Sequence, residues 1–132
     1  MPPGSDMRAV DTNVLVRLIT GDDPKQASAA EVFVASGGWV SHLVLAEITW
    51  VLNTVYGHSA TSIASAIELL LNHAQLTVQD ADVVAAALAG YRRHARVDFF
   101  DHLLLEVARK AGHLPVGTFD HQFGRLNGVQ KI

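Results

Sequence analysis

Along the chain, short continuous apolar runs alternate with longer stretches in which apolar residues recur at helical spacing. Met7 to Val10 is the first such run and reads as a strand. It ends on Asp11-Thr12-Asn13, and Thr12 to Ile19 continues with the period of a helix. Gly21-Asp22-Asp23-Pro24 stops that helix and restarts the chain, with Pro24 placed as a first helical residue. Ala27, Ala30, Phe33 and Val34 then recur on one face before Gly37-Gly38, so the two segments read as a helical hairpin. Trp39-Val40-Ser41 predicts a second strand and Leu43 to Tyr56 a helix with a broad apolar face. Ser59 caps a further helix that buries Ile63, Ala66, Ile67, Leu70 and Leu71. Leu76-Thr77-Val78 is the third strand, and an Ala-rich helix starting at Asp80 or Asp82 runs to Arg92-Arg93-His94. Asp98 opens a helix whose nearly all-apolar body predicts that it is mostly buried, ending at Gly112. Leu114 to Val116 gives a fourth strand, and Val129 to Ile132 a fifth, at an edge.

Strands separated by helices predict an α/β fold: a three-layer α/β/α sandwich with a mainly parallel central sheet and the strand carboxyl ends on one rim. With 132 residues, the length suits one domain over residues 7–132. Residues 1–6, rich in Pro, Gly and Ser, read as a flexible lead without a function of their own. Hydrophobic residues make up 49% and charged ones 17%, which leaves apolar surface for a partner and predicts association. Cys is absent, which excludes disulfides and thiolate metal sites. There is no apolar stretch of membrane-spanning length and no leader pattern, so the expected location is the cytoplasm and no membrane partner is expected.

The net charge of −3 argues against a generic basic nucleic-acid binder. That changes if Asp11, Glu47, Asp98, Asp101 and Asp120 share one metal-binding pocket. The rest of the chain is then net positive, and divalent ions would reverse the local field, leaving a phosphate substrate open. Each acid has an alternative reading. Asp11 follows a strand and opens a helix, so it is either an N-cap or a ligand at the carboxyl end of a strand. Glu47 lies within the apolar run Leu43 to Leu52, where it either faces solvent or needs a partner. Asp98 is explained as a helix cap, Asp101 three residues on less so, and Asp120 after Thr118-Phe119 could end a strand. Their placement is nonetheless shared: after strands, or in the first turns of helices. Clustered carboxylates without His or Cys spacing motifs favour Mg²⁺ or Mn²⁺, and the chemistry of such ions is phosphodiester hydrolysis.

Asp11-Thr12-Asn13-Val14-Leu15, the isolated helical Glu47, Asp98-Phe99-Phe100-Asp101-His102-Leu103-Leu104 and Thr118-Phe119-Asp120 resemble, in order and over nearly the whole chain, the motifs of PIN-domain ribonucleases, in particular the VapC toxins of bacterial toxin-antitoxin pairs. The resemblance implies a Mg²⁺- or Mn²⁺-dependent endoribonuclease using one or two ions. It further implies a homodimer, neutralised by a VapB-like antitoxin, whose products carry 5′-phosphate and 3′-hydroxyl ends. Asp11, Glu47, Asp101 and Asp120 match the acidic quartet, Asp98 an additional acid and Thr118 a hydroxyl near the site. By the same resemblance Asp11, Glu47 and Asp101 hold a first ion, while Asp120 and Asp98 complete a second or ligate through water. Asn13 either orients Asp11 or caps the helix. His102 and Leu103 stand where the family carries small residues. His102 and His121 read as surface histidines, and Arg17, Arg92, Arg93, Arg96, Lys110 and Arg125 as candidate phosphate contacts.

Two other classes compete. Phospho-acceptor and phosphatase α/β domains also place acids after strands, but Asn13 stands where a haloacid-dehalogenase phosphatase has its second Asp, and Asp11 has no acidic neighbour of the receiver type. A non-catalytic interaction module would use Trp50, Val51, Val55 and Tyr56 beside Ile63, Ile67 and Leu70 as a groove for an amphipathic helix; for most of these residues ordinary core is the preferred reading.

Overall fold

A computed structural model of the chain describes residues 7–132; the predicted lead, residues 1–6, lies outside them. The chain falls into two compact units, Met1–Ala81 and Asp82–Ile132.

In the first unit the order is β1 (Arg8–Ala9), α1 (Thr12–Thr20), α2 (Pro24–Val34), β2 (Gly38–Val40), α3 (His42–Thr54), α4 (Ala60–Leu71) and β3 (Leu76–Val78). The strands pair in the order β1-β2-β3, all parallel, with Ala9 opposite Trp39 and Trp39 opposite Thr77. Parallel neighbours need crossovers, and the helix pairs α1-α2 and α3-α4 supply them. Every helix of this unit starts on a side-chain cap: Asp11, Asp23, Ser41 and Ser59 each accept from the backbone N–H three residues on. The core joins Leu15 and Val16 of α1, Val34 of α2, Val40 of β2, Leu45, Ile48 and Leu52 of α3, and Ile63, Ile67 and Leu70 of α4. Gly38 sits where this core closes on the central strand. A Cβ there would meet the side chains of Leu76, Val10 and Val34 at 3.2 to 3.3 Å.

The second unit contains α5 (Ala81–Arg93, opening at the boundary), α6 (Phe99–Ala111), β4 (Val116–Thr118), a 3-10 turn (Phe123–Arg125) and β5 (Val129–Lys131). β4 and β5 pair in parallel, Val116 opposite Val129. Val97, Leu105 and Phe123 form a buried cluster with Val116, Leu126 and Val129 packed against it. Tyr91 meets the rings of Phe99 and His102 edge-on, each at 5.9 Å.

The α/β class and the parallel pairing agree with the sequence reading. Two local expectations change. The fourth strand lies at Val116–Thr118 rather than Leu114 to Val116, because Pro115 has no N–H to give to a ladder. The expectation that α6 is mostly buried is corrected as well. Phe99, His102, Leu103 and Leu105 are buried, whereas Phe100, Leu104 and Val107 are 56%, 42% and 38% exposed. The helix is amphipathic in position though apolar in composition. Among the described residues no helix is long and apolar enough to cross a membrane.

Candidate functional site

Asp11 follows β1 and is both a cap and an accessible acid. Its Oδ1 accepts from the Val14 N–H at 3.1 Å, while Oδ2 has no hydrogen-bond partner among the described residues and the residue is exposed. The cap fixes the orientation of a carboxylate that still has one oxygen free. Asp11 also lines a cleft of about 370 Å³ between α1 and α2, together with Asn13, Arg17, Gln26 and Phe33. The Asn13 side chain makes no hydrogen bond to Asp11 among the described residues. Parallel strands end on a common rim, so Asp11, Ser41 and Asp80 each follow a strand there, and His42 donates its N–H to Gln79 Oε1 at 2.9 Å.

Glu47 lies on the exposed side of α3. Leu43 four residues before it is 83% exposed and Trp50 three residues after it 63%, while Leu45, Ile48 and Leu52 fill the opposite, buried side. The carboxylate embedded in an apolar run is therefore explained by direction: it points out of the core and needs no buried partner. Of the groove residues considered in sequence, Ile63, Ile67 and Leu70 are core, and Trp50 and Val55 are exposed.

In the second unit the charges of Asp98 and Asp120 act on Asp101. The Asp101 carboxyl is pushed above its ordinary range by burial first, then by the charges of Asp98 and Asp120. Asp98 occupies the N-cap position of α6 by its backbone, yet its side chain makes no capping hydrogen bond. The cap explanation that suits it in sequence is not what its carboxylate does. Asp120 repeats the device of Asp11: Oδ1 accepts from the Phe123 N–H at 2.7 Å. The Thr118 hydroxyl accepts from the Asp120 N–H at 3.0 Å and so helps hold that acid at the end of β4.

His102 is not a surface histidine. It is 2% exposed, its Nε2–H points to the His94 carbonyl at 3.0 Å, and burial lowers its pKa. Gly90 leaves the space for it: a Cβ there would stand 2.8 Å from His102 Nδ1. His102 and Leu103 thus pack inside the unit, while His121 is exposed as expected. Arg17 is corrected as a phosphate contact, since its guanidinium already binds Asp22 Oδ1 at 2.7 Å and Gln26 Oε1 at 2.6 Å. Lys110 likewise donates to Asp82 at 3.2 Å. Arg92, Arg93, Arg96 and Arg125 are exposed. The Arg17-Asp22-Tyr56 network was missed in sequence, where Asp22 reads only as part of a turn.

Among the described residues no three acidic or histidine side chains form a ready-made metal-holding group. The donor set of the second unit still fits a hard divalent ion in its chemistry. It consists of carboxylates only, and the charges of Asp98 and Asp120 add to burial in raising the Asp101 carboxyl.

In comparisons with known proteins, the solved VapC20 of Mycobacterium tuberculosis, described as a sarcin-ricin loop cleaving toxin, is similar to this chain. The identity is 23% and the TM-score 0.42, covering 93% of this chain and 97% of that one. No curated protein matches the chain significantly. A family model described as PIN domain matches residues 8–129, nearly the whole chain. The chain belongs to the PIN-domain family.

Proposed function

We propose that this PIN-domain protein is a divalent-metal-dependent endoribonuclease that acts in the cytoplasm as the toxin of a toxin-antitoxin pair. Residues 7–132 work as one nuclease domain, and Asp11, Glu47, Asp101 and Asp120, with Asp98, supply the acids. The observation that carries the reading is the PIN-domain family match over residues 8–129; in the second unit the Asp101 carboxyl is raised by burial first and then by the charges of Asp98 and Asp120. A cation bound beside these carboxylates would offset the repulsion between them. The assignment of Asp11 and Glu47 to the same chemistry rests on motif order within the family.

Mg²⁺ or Mn²⁺, when bound, supplies charge neutralisation at the phosphoryl oxygens and activation of the attacking water. The residues of the chain orient and hold. The N–H of Val14 turns Asp11 so that Oδ2 is free to ligate, and the N–H of Phe123 does the same for Asp120. The Thr118 hydroxyl fixes the backbone on which Asp120 is carried. Asp98, free of capping duty, and the half-buried Asp101 provide further oxygens. Neither His102, buried against Gly90, nor His121 is assigned a proton-transfer role. Exposed apolar side chains on α6 and α3 support a homodimer and a VapB-like antitoxin as partners.

The test is cleavage of a mixed structured RNA pool by the purified chain with Mg²⁺, Mn²⁺ or EDTA, beside an identically prepared Asp11→Asn protein. Metal-dependent cleavage that the variant lacks is expected. Equal behaviour of the two proteins, both folded and free of antitoxin, would sink the reading in favour of a binding module.

A further inference from the structure

We propose that the cleft between α1 and α2 is a subsite for one unpaired base of the RNA, which stacks on Phe33 and has its edge read by Gln26 and Asn13. The proposal rests on the nuclease reading and adds to it where the strand lies beside Asp11.

The cleft, at about 370 Å³, falls within the size range of small-ligand sites, and Asp11 forms part of its wall. A base held there belongs to a nucleotide next to the phosphate that Asp11 serves. Phe33 lines the cleft with an aromatic side chain whose position is fixed by Arg8: the Arg8 guanidinium lies 3.7 Å over the ring centroid, and Arg8 also donates to the Phe33 carbonyl at 3.1 Å. Unpaired bases are recognised by such stacking combined with hydrogen bonds to their edges.

The cleft is not built for a phosphate. Among the described residues that line it the one cation is Arg17, which is committed to Asp22, Gln26 and the Tyr56 hydroxyl, and Tyr56 in turn donates to Asp22 at 2.8 Å. This commitment has a second effect. An arginine only donates, so the Gln26 atom 2.6 Å from Arg17 Nε is the carbonyl oxygen, and the amide NH₂ is the end left to donate to a ligand. The Asn13 side chain, with no hydrogen bond among the described residues, offers a donor and an acceptor on the opposite helix. Carboxamides of this kind pair with base edges.

The test is binding of fluorescein-labelled hexameric oligo(A), oligo(C), oligo(G) and oligo(U), and of one RNA duplex, to the full chain in EDTA, followed by anisotropy. Single strands are expected to bind more tightly than duplex. Phe33→Leu, which keeps apolar volume and removes the stacking face, should weaken single-strand binding about tenfold, equivalent to about 1.4 kcal/mol. Phe33→Tyr should restore it, and Gln26→Leu should alter the order of preference among the four bases. If Phe33→Leu binds single strands like wild type, or the chain shows no preference for single strands, the subsite is overturned and Phe33 is a packing residue or a peptide anchor. The two readings separate. Metal-dependent cleavage with an unaffected Phe33→Leu protein removes the subsite alone. Phe33-dependent binding without cleavage removes the nuclease and leaves an RNA site.

Discussion

Asp11 and Asp120 use the same local device in two different settings. Each follows a short parallel strand, and each gives Oδ1 to the N–H three residues on, at 3.1 Å to Val14 and 2.7 Å to Phe123. Behind Asp11 stand a nine-residue helix and a three-stranded sheet packed on a core of large aliphatic side chains. Behind Asp120 stand a two-stranded sheet, a three-residue 3-10 turn and the small cluster of Val97, Leu105 and Phe123. A carboxylate therefore does not need a large element to be oriented; one backbone N–H is enough. What the larger element adds is a formed cleft beside the acid, which lies between α1 and α2. In the smaller unit, instead, burial and then the charges of Asp98 and Asp120 raise the Asp101 carboxyl.

The largest expected effect breaks both sites without touching either fold. Asparagine keeps the oxygen that accepts from the backbone but loses the charge. Asp11→Asn and Asp120→Asn should each reduce metal-dependent RNA cleavage by more than about 100-fold, the most that loss of a group merely supporting a ligand brings about. Melting temperatures should stay near that of wild type. If one variant kept its activity, the equivalence of the two acids would be wrong, and that acid would be a cap alone.

The packing of the smaller unit comes next. Gly90→Ala places a Cβ 2.8 Å from His102 Nδ1, in a site where the ring is pinned by His94 and Tyr91. A loss of about 1 to 3 kcal/mol in urea unfolding is expected. Gly117→Ala, with open space around its Cβ, should stay within about 0.5 kcal/mol. Similar values for both would mean that His102 can move aside.

A finer comparison concerns caps. Ser41 accepts from the Val44 N–H at 3.2 Å, and Ser41→Ala should cost about 1 kcal/mol. Asp98 holds the corresponding position on α6 without the hydrogen bond. Asp98→Ala should therefore leave stability unchanged within about 0.5 kcal/mol, or raise it by relieving Asp101. A loss equal to that of Ser41→Ala would restore the cap explanation for Asp98.

Much of this was legible in the residues, because the signals were local. The Ser59 cap, the restart at Pro24 after Gly21 and helical periodicity place most elements of the first unit to within about two residues, whereas Ser41, which reads as the end of a strand, caps α3. The direction of an apolar residue within an apolar helix was not legible. In α6 nothing local distinguishes Phe99, which is buried, from Phe100, which is exposed, and His102 faces inward only because Gly90 leaves a hole for it. Glu47 is the converse case, since an acid in an apolar run reveals that the helix has an outer side but not what lies on it. The acid motifs were visible as types and order. The split of duties within one carboxylate, Oδ1 to the backbone and Oδ2 free, needs coordinates. The Arg17 network was invisible because Tyr56 and Asp22 lie 34 positions apart and meet only when α3 packs against α1.

That network gives the smallest expected effect and tests whether the wall of the cleft is held by charge. Asp22 accepts from the hydroxyls of Thr20 and Tyr56 at 2.8 Å each and from Arg17 at 2.7 Å. These contacts, the Thr20 hydroxyl foremost, hold its carboxyl below the usual range, while burial opposes them. A carboxyl whose pKa is lower folded than unfolded stabilises the protein above its unfolded value, and the contribution fades as the pH falls through the folded one. The melting-temperature difference between wild type and Asp22→Asn should therefore be largest at neutral pH and close as the solution is acidified below the ordinary carboxylate range. In exposed surroundings the effect is modest and screened by salt, so the comparison belongs at low ionic strength. A difference that persists unchanged into acid would show that neutral hydrogen bonds to Thr20 and Tyr56, rather than the charge facing Arg17, keep this wall in place. The preorganisation of Gln26 would then no longer follow from the ion pair.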